Sequence, residues 1–136
     1  KTTADAANLP WGMRAQLASA AAWSPNPNKP PLYLDLPTDS ATRNEVLARW
    51  VANAPLAFMD QYVGNLRRYD AIAIDVGDRD GLRVDSGRLH DALDRYGITH
   101  GFEIYPGTHT SKVADRFQNH VMTFFSGSLS FEAGRR

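Results

Sequence analysis

The apolar positions of this chain follow different periods in its two halves. Residues 15–23 (AQLASAAAW) form a short run of small apolar residues that stops at Ser24-Pro25. Periodicity allows either a buried strand or a short helix there. A proline-rich tract follows at once, so a strand is expected. Residues 1–14 show no clear period and are expected to be irregular. Thr42 and Glu45 have the spacing of a capping box, a hydroxyl followed three residues later by a carboxylate. Val46, Leu47, Trp50 and Val51 follow at helical spacing, which predicts a short amphipathic helix. A second, shorter helix is expected near residues 58–66.

The second half is patterned more sharply. Residues 69–76 read as a buried strand centred on Ile72 and Ile74, and Gly77-Asp78-Arg79-Asp80-Gly81 reads as a turn. Asp85 or Ser86 is expected to cap a helix with Leu89, Leu93 and Tyr96 on one face, closed by Gly97. Residues 99–105 predict the next strand, and Pro106-Gly107-Thr108-His109-Thr110 a loop. Ser111 is the expected cap of a last helix. Its face, Val113, Phe117, Val121, Phe124 and Phe125, is expected in the core. Strands that alternate with helices predict an α/β fold with a mostly parallel sheet flanked by helices. Sheets of that kind place functional loops at the carboxyl ends of their strands. Both the 77–81 turn and the 106–110 loop lie at such ends.

Composition narrows the function classes. The 136 residues suit one domain. Fifteen basic residues balance fifteen acidic ones, so charge makes no case for nucleic acid or an anionic membrane as partner. The chain has no cysteine, which excludes disulfides, thiol catalysis and thiolate metal sites. No apolar run approaches the roughly 18 residues of a membrane helix. Four of the eight prolines fall in residues 26–37, which predicts an extended loop. No histidine pair shows zinc spacing on one helix, and no metal or other cofactor is expected.

Asp80 and His109 stand out as candidate chemistry. They lie 29 residues apart (109 minus 80), one on each loop. If the two strands are neighbours, the carboxylate can accept a hydrogen bond from the imidazole, fix its tautomer and stabilise its cation. Asp75 and Asp78 compete for the role of acid. His109 is the best placed of four histidines. His90, His100 and His120 are expected at the surface or in packing.

Residues 71–82 (AIAIDVGDRDGL), then a helix, then residues 101–109 (GFEIYPGTH), resemble the end of an α/β-hydrolase. The likeness is greatest to the esterase family that includes esterase D and the feruloyl esterases, and it runs from about residue 15 to 126. In that family a Gly-x-x-Asp turn supplies the triad acid and a Pro-Gly-x-His loop the base. The matching positions here are Gly77 to Asp80 and Pro106 to His109. The resemblance implies carboxylic ester hydrolysis with Asp80 and His109 as catalytic residues, a small-molecule ester substrate and no cofactor. It also implies a lid-like insertion at about residues 25–68. The family's Gly-x-Ser-x-Gly nucleophile elbow is missing from this sequence. In these hydrolases the serine precedes the acid and base, so it is expected upstream of Lys1. The chain then reads as the C-terminal part of one α/β-hydrolase domain, inactive without its N-terminal half. Acyl transfer by the same residues, and a non-catalytic interaction module that retains the fold, are the alternatives.

Overall fold

The computed structural model describes residues 3–130. The chain forms two compact units that divide at Asp60, and each has its own small core. Ala20, Leu34, Val46 and Met59 are buried in the first, and Val76, Ala92, Leu93 and Ile98 in the second.

The first unit is mainly helical: α1 (Thr3–Ala7), α2 (Trp11–Trp23), α3 (Arg43–Ala52) and α4 (Pro55–Phe58). Helix α2 corrects two expectations, the strand over residues 15–23 and the irregular segment before it. Its last turns are rich in alanine, the strongest helix former. They also lack the β-branched residues that favour strands. The Pro10 carbonyl accepts the N–H groups of Met13 and Arg14 at 3.0 and 3.1 Å and opens the helix. Pro25 stops it one residue after Ser24.

The proline-rich tract returns the chain on itself through an antiparallel bridge, Pro25 to Leu34. Ser24, fully buried, holds the return in place. Its hydroxyl donates to the Asp35 carbonyl at 2.8 Å and accepts the Trp50 indole N–H at 2.9 Å. Trp50 meets Trp23 edge to face with centroids 5.8 Å apart. Helix α3 lies where expected, but the capping box does not form. Thr42 has helical dihedrals rather than the extended ones of a capping residue, makes no side-chain cap, and leaves Oγ1 buried without a partner.

The segment expected to be one helix near residues 58–66 is broken into α4, a 3-10 turn (Met59–Tyr62) and α5 (Val63–Leu66). The second unit then builds a β-α-β crossover: β1 (Ala73–Gly77), α6 (Arg83–Arg95) and β2 (Gly101–Tyr105). The strands pair in parallel, with Ala73 opposite Gly101 and Gly77 opposite Tyr105. Among the described residues the sheet has two strands rather than the expected three, because the first candidate strand is helix α2.

Helix α6 starts at Arg83, two to three residues before the expected caps; Asp85 sits in its first turn. Its end is as expected. Gly97 takes φ +62°, its N–H reaches the Asp94 carbonyl at 2.9 Å, and the Ile98 N–H reaches Leu93 at 3.0 Å. That is a Schellman motif, whose left-handed residue favours glycine. It turns the chain directly into β2.

After β2 come α7 (Val113–Arg116), a π-helical turn (Phe117–Val121) and α8 (Met122–Ser128). Ser111 does not cap α7; its Oγ accepts the Thr108 N–H at 2.8 Å, and Lys112 is the flanking residue. Among the described residues the aromatic face expected in the core is largely uncovered. Phe117 is 57% exposed and Phe125 47%. The apolar pattern marked a face that wants burial, but two strands and one crossover helix are too little to cover it.

Candidate active site

Parallel pairing at neighbouring positions brings the 77–81 turn and the 106–110 loop to one edge of the sheet. The β1 ladder continues one residue past the strand, where the Asp78 N–H donates to the Tyr105 carbonyl at 2.8 Å. The Arg79 N–H then donates to the Gly107 carbonyl at 3.0 Å. Gly77 makes this approach possible. A Cβ on Gly77 would lie 2.8 Å from the Gly107 carbonyl carbon, and one on Gly107 would lie 2.7 Å from the Tyr105 ring. Neither position has room for a side chain.

Asp78 and Asp80 take different partners on this edge. The Asp78 Oδ1 accepts the Gly107 N–H at 2.8 Å and clamps the second loop to the first. That bond, ahead of the nearby Arg79 charge, holds its carboxyl below the usual aspartate range. Asp80 turns back, its N–H on the Gly77 carbonyl at 3.1 Å. One carboxylate oxygen, Oδ1, accepts the Leu82 N–H at 2.9 Å as α6 begins. The other, Oδ2, lies 3.0 Å from Nδ1 of His109. The Leu82 amide first, and His109 after it, outweigh desolvation and keep the Asp80 carboxyl below its usual value.

The side chain of Asp80 is 9% exposed and that of His109 55%. The carboxylate is thus sheltered, and the imidazole reaches solvent. An ionised carboxylate can only accept, so a proton sits on Nδ1 of His109, and in the neutral imidazole Nε2 carries the lone pair. An imidazole held this way is equipped to take a proton from a hydroxyl and return it to a leaving group.

The competing residues lie elsewhere. Asp75 pairs with Arg116, whose Nε is 2.8 Å from Oδ2. Arg116 also holds Glu103 and covers the Tyr105 ring with its guanidinium 4.6 Å from the centroid. Glu103 and Asp75 raise the Arg116 pKa above its already high value, against some desolvation. His120 sits 3.1 Å from Arg116. His90 and His100 lie together at the opposite, amino end of β2.

Sequence reasoning paired Asp80 with His109 and missed Asp78 as the clamp between the loops. Crowding at Gly77 was legible in the sequence, and the Gly107 backbone is what a Cβ there would meet; nothing in the pattern singled out the Asp78 carboxylate as the group that takes the Gly107 N–H. No protein-family model matches this chain, and no curated protein matches it significantly.

Proposed function

We propose that Asp80 and His109 are the acid and base of a Ser-His-Asp triad that hydrolyses carboxylic esters in an α/β-hydrolase. The serine comes from polypeptide outside these residues. The observation that carries the reading is the 3.0 Å contact between Asp80 Oδ2 and His109 Nδ1 at the carboxyl ends of two adjacent parallel strands.

In this reading His109 Nε2 takes the serine proton as Oγ attacks the ester carbonyl. The same proton then goes to the departing alkoxide. Water repeats the sequence on the acyl-enzyme and releases the acid. Asp80 holds the tautomer throughout and faces the imidazolium when it forms. The exposed Phe117, Phe125 and Ile104 support the same reading. They are the surfaces that the remaining part of such a domain would cover.

Hydrolysis of short-chain chromogenic esters tests the proposal. The 136-residue chain alone is expected to show no turnover above background. The protein that includes the elbow-bearing segment is expected to turn over. There Asp80→Asn should reduce activity by about ten-thousandfold, the effect of the wrong tautomer in a known triad. His109→Ala should cost as much or more. Robust turnover by the isolated chain, or near-normal hydrolysis by the His109→Ala protein, would overturn the reading.

A further inference from the structure

At the other end of the crossover, away from Asp80 and His109, two histidines and an aspartate converge. Helix α6 carries His90 and Asp94 four residues apart, so both lie on one side of the helix. His100 immediately precedes β2. His90 Nδ1 lies 2.7 Å from His100 Nε2, and His90 Nε2 lies 3.6 Å from an Asp94 oxygen. One donor atom from each of the three falls within 4.8 Å of the others.

Two features lift this cluster above a chance meeting of polar side chains. The His100 side chain is only 2% exposed, and its Nδ1 is 2.8 Å from the Ile98 carbonyl. A carbonyl can only accept, so the proton is fixed on Nδ1 and a buried lone pair is aimed from Nε2 at His90. That is the arrangement metal-binding histidines use: the remote nitrogen donates to a carbonyl, which fixes both tautomer and ring orientation. His90 is held as well. Its ring stacks on Phe102 with centroids 4.4 Å apart and planes 13° from parallel. Only Asp94, well exposed, is free to swing in.

We propose that His90, Asp94 and His100 bind a zinc-class divalent cation that ties the end of α6 to the start of β2. Two imidazoles and one carboxylate suit zinc, whereas magnesium and calcium prefer sites built of oxygen. Metal–nitrogen bonds of about 2.0–2.1 Å put neighbouring ligand atoms about 3 to 3.4 Å apart. His90 Nδ1 and His100 Nε2 therefore need to open by well under an ångström, and the Asp94 carboxylate, now nearer His90 Nε2, to swing to the Nδ1 side. Water completes the coordination. The zinc-binding histidines escaped the sequence pattern because they stand ten residues apart on different elements. The readable signal was the four-residue spacing of His90 and Asp94.

The test uses the whole chain, stripped with a chelator. Cobalt(II) is added while its visible absorption is followed, zinc is then used to displace it, and thermal unfolding is measured with and without zinc. Saturable one-to-one cobalt binding is expected, with displacement by zinc, no displacement by magnesium, and a higher Tm with zinc. Because His100 is buried, the decisive variants are His90→Gln and Asp94→Asn. Each should weaken binding by at least the ten- to hundredfold that loss of an outer-shell partner costs. His120→Gln and His109→Gln should leave it unchanged. Absence of one-to-one binding, binding that survives both His90→Gln and Asp94→Asn, or binding lost in His109→Gln would overturn the proposal. None of these results depends on ester hydrolysis.

Discussion

Gly77→Ala should loosen the edge that carries the candidate site, and the size of the effect follows from the contact distances. The new methyl would overlap the Gly107 carbonyl oxygen outright, and it would lie 2.8 Å from the carbon of that carbonyl and 3.2 Å from the Thr108 carbonyl oxygen. Ordinary contact begins near 3.4 Å, so the two loops must separate by more than half an ångström. All three opposing atoms belong to the backbone, and no side chain can rotate away to absorb the overlap. Overpacking of this kind costs about 1–3 kcal/mol. The movement also stretches the Arg79 to Gly107 hydrogen bond, a further loss of about 1 kcal/mol if it breaks. Gly81→Ala is the matched control. A Cβ there meets nothing within 4 Å, and the same change in unfolded-chain entropy applies. Urea unfolding followed by circular dichroism measures the difference between the variants. Amide hydrogen exchange at Arg79 and Gly107 localises it. The reasoning fails if Gly77→Ala is as stable as the parent and its Arg79 amide remains equally protected, or if Gly81→Ala loses as much.

Two other outcomes follow from the core and the charges. Leu93, 2% exposed under the crossover, should cost about 2–5 kcal/mol when changed to alanine; a urea midpoint unchanged from the parent would show that α6 does not rest on this residue. The carboxyls of Asp78, Asp80, Asp35 and Glu103 all titrate below their ordinary values in the folded chain. The unfolded chain therefore binds more protons in that range, and stability rises with pH there. Their contribution is complete above the unfolded carboxyl range near pH 4 and is lost as pH falls through the lower folded values. Urea midpoints between pH 6 and pH 2.5 should decline only below about pH 4.5, and a flat profile would refute the linkage.

The legible parts of the fold are those where several local signals agree. Gly97 closes α6 because its position demands a left-handed residue, and the strands on either side alternate with that helix. Residues 15–23 offered no such agreement. A short alanine-rich run has no period that separates helix from strand, and the proline after it ends either element equally well. Alanine propensity, a weaker signal, was the better guide. Thr42 shows the reverse failure. The capping spacing is present, but the preceding Asp39 turn, where Oδ1 accepts the Ala41 N–H, leads into Thr42 in a helical conformation that keeps its hydroxyl off the helix amides. The last helix keeps its apolar face largely exposed among the described residues, because a pattern gives the face that seeks cover and says nothing about whether cover is present.

The pairing of His109 with Asp80 rather than Asp78 follows from how a strand ends. Asp78 still belongs to the ladder through its N–H on Tyr105, so its carboxylate meets the backbone of the neighbouring strand's exit and takes the Gly107 amide. Two residues later the turn has reversed, the Asp80 amide bonds back to Gly77, and the side chain points past the ladder to where the second loop has carried His109. The Leu82 amide then fixes the carboxylate by its other oxygen. One aspartate holds the loops together and the next faces the imidazole. The distinction has a physical consequence for substitutions at the two sites. Loss of the Asp78 carboxylate removes a bond between loops that two backbone hydrogen bonds still join. Loss of the Asp80 carboxylate removes the acceptor that selects the histidine tautomer, and nothing else bonded to Nδ1 among the described residues replaces it.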